Sequence, residues 1–527
     1  MVNNSKRLRS VMFAGTGSDV GKSVITAAFC RIFKQDGYTP APFKAQNMAL
    51  NSFVTSDGLE LGRAQAVQAE AAGIPCHTDM NPLLLKPSSD CISQVVLNGR
   101  PAGNRSARSF FREQSREELV REVHAAYDRL AARYNPIVME GAGSISELNL
   151  QKVDLVNLPM ARYADASVIL VADIDRGGVF ASVYGSVMLQ TEEDRRRIKG
   201  ILINKFRGDI SLFTGGVKMM EDLCHVPVIG VVPYYKDIYI EEEDSVMLKT
   251  KKLGALQGKI NVAVVLLHHL SNFTDFNALE RDERVHLFYT NNTDELLKAD
   301  IILIPGSKNT LADLYELRRN GVAQAIMQAH RRGATVTGIC GGYQIMGREV
   351  CDPDHVEGDI TRLPGLGLLP VTTRLTKEKV TRQVAFRLAG WAARPEDIGA
   401  VVSGLPPEHP VAGEVCHGYE IHMGETSFLA DAKASAFTYF VDEIVTNPIP
   451  DASGNGCFVN NHCFGTYIHG ILDNAPVIDL LLEPFLEKAL PRTAFDYAAF
   501  KEEQYDKLAA HVRRHVNMEL VYKIVES

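Results

Sequence analysis

The sequence predicts an α/β protein of two successive domains, each a mostly parallel sheet covered by helices. Two observations carry this expectation. Short uncharged apolar runs, of the kind that suits strands buried on both faces, alternate with longer helical patterns. The alternation breaks once, between residues 235 and 259, where the chain turns charged and poorly periodic. At 527 residues the chain is also too long for a single core.

In the first set, residues 11–14, 39–43, 137–139, 168–172, 201–203 and 228–232 read as strands, and residues 22–35 and 116–133 as helices. In the second, residues 261–267, 301–304 and 335–339 read as strands and residues 311–319 and 322–332 as helices. The closing stretch, rich in Leu, Glu, Ala, Tyr and Arg, reads as helical. The expected domains are therefore residues 1–245, a linker at 246–259, a second domain at 260–480 and a C-terminal helical cap at 481–527.

Composition excludes several function classes. A net charge of -8 gives no basic surface for nucleic acid. Nine cysteines without a CxxC pair argue against a disulfide framework or structural zinc, and point to the reducing cytoplasm. The run at residues 11–18 is broken by glycines and reads as a strand and loop, not a signal peptide. No stretch reaches the ~18–20 apolar residues of a membrane span, so a soluble protein is expected.

After the strand at residues 11–14 comes a glycine loop, Gly15, Thr16, Gly17, Gly21, Lys22 and Ser23, that opens a helix. Backbone N–H groups and the helix N-terminus would face phosphates there, with Lys22 on β/γ oxygens and the Ser23 hydroxyl on magnesium. The strict G-x-x-x-x-G-K-[ST] spacing is not met, because Thr16 stands in the first glycine's place and Gly15 lies one residue earlier. Magnesium needs further oxygen ligands. Glu140 and Asp173, at strand ends where open α/β sheets bind ligands, are candidates, as is Asp57; helix capping or a turn is the ordinary alternative for such carboxylates. Asn204 follows another strand, and its amide is a candidate reader of a purine edge or a plain turn residue. Lys44, Gln46, Asn47, Asn51 and Arg63 belong to a segment dense in amides and charges, suited either to a polyanionic substrate beside the γ-phosphate or to solvent.

A second site is marked by Gly338, Cys340 and Gly342, which match the nucleophile elbow G-x-[SC]-x-G after a strand. Small neighbours permit the strained turn that exposes the sulfur, and the Gly341 N–H can stabilise an oxyanion. Gly306, beyond the strand at residues 301–304, can offer a second donor. A base is required, and His469, at the end of a strand-like run, is the candidate; a strand histidine without such an elbow is usually structural.

Together these residues closely resemble the cobyric acid synthase family of the cobalamin pathway, over nearly the whole chain. The resemblance rests on residues 42–52 (PFKAQNMALNS), 81–87 (NPLLLKP), 173–180 (DIDRGGVF) and 418–424 (GYEIHMG). The first half resembles the dethiobiotin-synthetase type of P-loop domain, with the same shifted glycine spacing, and the second is similar to class I, triad-type glutamine amidotransferases. The resemblance implies amidation of the b, d, e and g carboxylates of adenosylcobyrinic acid a,c-diamide, with L-glutamine as nitrogen donor. It further implies ATP and Mg2+ as co-substrates and no tightly bound prosthetic group. By motif, Cys340 is the nucleophile and His469 its base, while Tyr419, Glu420 and His422 take a substrate or interdomain role. The usual triad glutamate, two residues after the histidine, is replaced by Ile471, as in the cobalamin branch, which leaves the group orienting His469 unidentified. Neither nucleic acid nor membrane is an expected partner, and the oligomeric state stays open. Two rival readings remain: the related a,c-diamide synthase, and a regulatory P-loop protein whose amidotransferase-like domain only binds.

Overall fold

The computed structural model describes residues 7–89, 92–106, 113–241, 254–389, 414–430, 432–441, 454–488 and 495–526. Most of the proposed linker, including residues 246–253, lies outside them.

The first domain is built on six parallel strands in the order Val228–Pro233, Ile198–Phe206, Ser167–Asp173, Val11–Gly15, Ile137–Glu140 and Ala41–Phe43. Val11–Gly15 and Ser167–Asp173 are buried along their whole length, the condition that leaves such strands uniformly apolar. The helix Lys22–Gln35 buries Phe29, Ile32 and Phe33 against this sheet, so that Lys22 and Ser23 emerge at the carboxyl end of the strands.

The polar segment after Lys44 holds three short strands. Gln46–Met48, Leu83–Ser89, Ile92–Leu97 and Arg100–Ser106 form a four-stranded sheet, and Ser52–Val54 pairs with Glu60–Gly62 in a hairpin. Three-residue strands rich in amides carry too little alternation to be read from sequence.

The second domain holds another six-stranded sheet, ordered Val285–Thr290, Ile260–Val265, Ile301–Ile304, Thr335–Ile339, Cys463–Thr466 and Cys457–Asn460, antiparallel only at the last pair. A long antiparallel pair, Val371–Leu388 with Cys416–Phe428, adds a further sheet that also takes in Ile468–His469.

The C-terminal helices return to the first domain. Tyr505, Leu508, Val512, Val521 and Val525, from Tyr497–His515 and Met518–Glu526, share a core with Phe13, Phe29 and Phe33. Arg31 pairs with Glu502 and Asp506, and the Arg9 N–H donates to Val525 O at 2.7 Å. By contrast Ala475–Leu482, which spans the expected boundary at residue 480, packs in the core of the second domain. Among the described residues no helix is long and apolar enough to cross a membrane.

Candidate active sites

At the glycine loop the backbone must approach itself closely. A Cβ on Gly15 would stand 2.8 Å from both Gly17 O and Lys22 Nζ, and one on Gly21, at φ 96°, would lie 2.2 Å from Asn204 Nδ2. Only glycine fits at both. Lys22 Nζ donates to Gly17 O at 2.9 Å and to Gly143 O at 3.0 Å, which folds the ammonium over the loop. Burial pushes Lys22 down to about 8, with Glu140 opposing and Lys44 adding to the depression. An arriving polyphosphate would restore the charge on this lysine.

Glu140 gathers the rest of the site. Its Oε1 accepts from Ser23 Oγ at 2.9 Å and Lys44 Nζ at 2.8 Å, and its Oε2 accepts from Gln68 Nε2 at 2.6 Å. Burial alone would raise the carboxyl, but Lys44 and the three hydrogen bonds hold it below its ordinary range. Gln68, which no sequence motif marks, stands in the helix Arg63–Ala72 nearly a turn and a half beyond Arg63. Asp173 lies at the end of the neighbouring strand, where its Oδ2 is 3.1 Å from Lys205 Nζ and its Oδ1 accepts from the Asp175 N–H. Asn204 Nδ2 donates to Val20 O at 2.9 Å, so this amide buttresses the loop. Asp57 stands apart from these groups. It sits exposed at the hairpin turn, accepting from the Thr55 hydroxyl, and is not among the groups that meet at Glu140.

No group of three or more His, Cys, Asp or Glu residues spaced for a metal ion occurs among the described residues. The oxygens that fit magnesium are the Ser23 hydroxyl and the adjacent Glu140 carboxylate, a hard donor pair of the type that binds this ion together with phosphates and water.

Cys340 begins the helix Gly341–Met346 at φ 54°, ψ -111°, the strained turn expected of an elbow. A Cβ on Gly342 would stand 1.9 Å from Ile304 O, and one on Gly338 would meet Gly342 O at 2.5 Å. The turn closes only with these glycines. The sulfur donates to Ile421 O at 3.6 Å, and Cys340 and His469 line the same pocket. Gly306 lies against the base, since a Cβ there would come 3.4 Å from His469 Cε1. The backbone N–H beside Gly341 comes from the next residue, Ser307, and both Ser307 and Gly341 line the pocket. Ser307 thus supplies the backbone N–H beside Gly341 and is next in sequence to the Gly306 candidate.

Asp275 supplies the missing partner of the histidine. His469 Nδ1 is 2.7 Å from Asp275 Oδ2, and Asp275 Oδ1 accepts from the Gly470 N–H at 2.9 Å. Both side chains are almost wholly buried. Burial would lower His469, but Asp275, Cys340 and their hydrogen bonds hold it up at about 10. Ile471, where a triad glutamate was sought, is buried in the apolar core. Asp275 lies in the short 3-10 turn Phe273–Phe276, and nothing local in the sequence marks it.

The remaining predicted residues sort differently. Tyr419 pairs with His469 across the sheet and stacks on its ring at 5.4 Å between centroids. Its hydroxyl donates to Ser52 O at 3.3 Å, in the first domain. His422 lines the Cys340 pocket and stacks on Tyr467 at 3.7 Å. Glu420 is engaged by Arg382 and by Asn455 Nδ2. Tyr419 thus belongs to the domain junction and His422 to the cysteine site, whereas Glu420 is held within the second domain. Arg63 is buried, paired with Glu241 and stacked over Phe53. Asn47 donates to Gln65 Oε1 at 3.2 Å, Asn51 is buried and Gln46 is half-buried.

One segment joins the two sites. Lys44 holds Glu140, while Ser52, further along the same segment, donates its N–H to Asn272 Oδ1 at 3.1 Å, and Asn272 lines the Cys340 pocket. In the same seam Val54 and Phe53 pack on Tyr419 and Ile421.

Comparison with known proteins accords with this division. Residues 11–246 match the CobQ/CobB/MinD/ParA nucleotide binding domain, and residues 261–477 the CobB/CobQ-like glutamine amidotransferase domain. Over 521 residues the chain is 72% identical to a cobyric acid synthase of Bacteroides fragilis, with 99% of both chains covered. The chain belongs to the cobyric acid synthase family. A cobyric acid synthase of Phocaeicola vulgatus is 67% identical over 99% of both chains, and one of Salmonella choleraesuis is 45% identical over 98% of both. Cobyric acid synthases are glutamine amidotransferase ligases of cobalamin biosynthesis, and this protein is one of that class. The a,c-diamide synthase and the non-catalytic module are thereby set aside.

Proposed function

We propose that the protein amidates the b, d, e and g carboxylates of adenosylcobyrinic acid a,c-diamide, consuming one glutamine and one ATP per amide. The observation that carries this reading is the presence, in one chain, of a phosphate loop closed on Glu140 and a Cys340–His469–Asp275 array, joined by the segment from Lys44 to Gly62.

A carboxylate is a poor acyl donor, so its oxygen first takes the γ-phosphoryl of ATP, giving an acyl phosphate and ADP. The loop N–H groups and Lys22 hold the phosphates, and Lys44 offsets the charge of the incoming carboxylate. Magnesium, bound with the nucleotide, neutralises phosphate charge, and Ser23 and Glu140 are the groups that would hold it. Ammonia then attacks the acyl carbon and phosphate leaves.

At the other site the Cys340 sulfur attacks the glutamine amide carbon while the Gly341 and Ser307 N–H groups receive the developing oxyanion. His469, held as imidazolium by Asp275, gives its proton to the departing ammonia. Water, deprotonated by the now neutral His469, hydrolyses the thioester to glutamate. Glu357, a half-buried residue lining the same pocket, suits the α-ammonium of glutamine.

Mass spectrometry tests the reading. Incubation with the a,c-diamide, ATP and glutamine is expected to give a product with four added amides and one glutamate and one ADP for each. An unchanged corrinoid, or amides on the a and c positions of cobyrinic acid alone, would refute it.

A further inference from the structure

The pocket beside Cys340 is lined by three lysines: Lys308 and Lys379 from the second domain and Lys86 from the first. Lys86 Nζ and Lys379 Nζ share one buried carboxylate, donating to Glu60 Oε1 and Oε2. Lys308 Nζ donates to the neutral Gln94 Oε1 at 2.9 Å, again across the domain junction. Glu357 acts on Lys308 through its charge, and its own carboxyl is pushed up by burial and accepts from the Thr310 N–H at 2.6 Å.

This arrangement is short of negative charge. Withdrawing an ammonium from water costs free energy unless a counter-charge meets it, and here, among the described residues, two lysines divide Glu60 while the half-buried Lys308 meets only an amide oxygen in hydrogen-bond contact. Burial and the charges of Lys379 and Lys86 press Lys308 towards its neutral form, a tension that an added anion relieves. Glutamine is a zwitterion, and its scissile amide must reach Cys340 in this same pocket.

We propose that Lys86, Lys308 and Lys379 form the subsite for the α-carboxylate of glutamine, so that the glutaminase pocket is complete only when the first domain delivers Lys86. This rests on the reading of Cys340 as the glutaminase nucleophile. The lysines bind and discriminate, and the chemistry remains with Cys340 and His469. Specificity follows from the same contacts, because an amide lacking the α-carboxylate leaves Lys308 on its amide oxygen and the other two lysines sharing Glu60.

The test compares glutamine with 4-aminobutanamide, which lacks only the α-carboxylate, on the full-length protein with ATP and corrinoid present. The unaltered protein is expected to prefer glutamine strongly in kcat/KM. Lys308→Met should lower that preference roughly tenfold to hundredfold, the range for losing a charge-assisted hydrogen bond, mainly through KM, and Lys308→Arg should restore part of it. Lys86→Met should lower the preference in the same way although it lies in the other domain. Amidation driven by ammonium salts reports whether each variant is folded; should Lys86→Met fail there, Lys86→Arg, which keeps the partner of Glu60, replaces it, and a preference at the unaltered value with a raised KM for both amides counts against the subsite. Preference unchanged in folded Lys308→Met overturns the proposal, and preference unchanged in folded Lys86→Met overturns its cross-domain part. Absence of any glutamate release by the unaltered protein would instead remove the glutaminase reading itself.

Discussion

At both sites a parallel strand delivers a reacting group to the start of a helix, but the two are assembled from different ranges of sequence. Lys22 and Ser23 are held by their own loop and by the ends of neighbouring strands, with Glu140 as the common acceptor. Cys340 needs His469, which needs Asp275, and its pocket is closed by Lys86 from the other domain. The phosphate site is therefore complete within one folding unit, whereas the cysteine site is a property of the docked protein. Its activity should respond to changes in the junction that leave phosphate handling intact.

The largest expected effect breaks the self-contained site. Lys22→Ala removes the charge that meets the phosphates and should lower amidation on the order of 10^3-fold or more with either glutamine or ammonium as nitrogen source. Product formation with the two nitrogen sources, measured side by side, checks this. A loss confined to glutamine would put Lys22 in the wrong site.

Next comes the array behind the cysteine. Asp275→Asn should lower glutamate release on the order of 10^2- to 10^3-fold, by releasing the orientation and charge of His469, and should spare ammonium-driven amidation. The pH profile distinguishes its role from mere packing. His469 in the folded protein stays protonated until pH rises through about 10, so the limb set by loss of the imidazolium lies at high pH. Without the Asp275 charge that limb should move to lower pH by roughly 1–3 units. The stability from the pair follows the same sign: it is fully present below the unfolded histidine value and lost as pH rises through about 10.

A smaller effect sharpens the contrast at the junction. Glu60→Gln leaves Lys86 and Lys379 facing each other in a buried seam and should cost roughly 3–5 kcal/mol of stability, read by thermal unfolding and by earlier proteolysis between the domains. Attraction to the two lysines outweighs burial and holds the Glu60 carboxyl well below the ordinary range. Its contribution is thus intact above the unfolded carboxyl value and fades as pH falls below it. An unfolding curve indifferent to this change would argue that the domains dock without the bridge.

How much was legible follows from the same difference. The strands and the long helix Lys22–Gln35 were readable because uniform apolar runs and 3.6-residue periodicity are local signals. Glu140 was readable as a carboxylate ending such a strand. Gln68 was missed although it lies near other chosen amides, because only folding turns that helix face to Glu140. Asp275 was out of reach, separated by 194 positions from the histidine it orients and set among aromatic residues in a short turn. Tyr419 and His422 drew notice as a polar motif, but their antiparallel register beside His469 decides what they touch, and register is not written in any short string.

The central claim is that two chemically separate sites are coupled through ammonia. The direct measurement is amide formation on the a,c-diamide by the Cys340→Ala protein, supplied in parallel with glutamine and with ammonium chloride. The account predicts no product with glutamine and four amides with ammonium chloride. Loss of product with both, or product formed with glutamine, would contradict it.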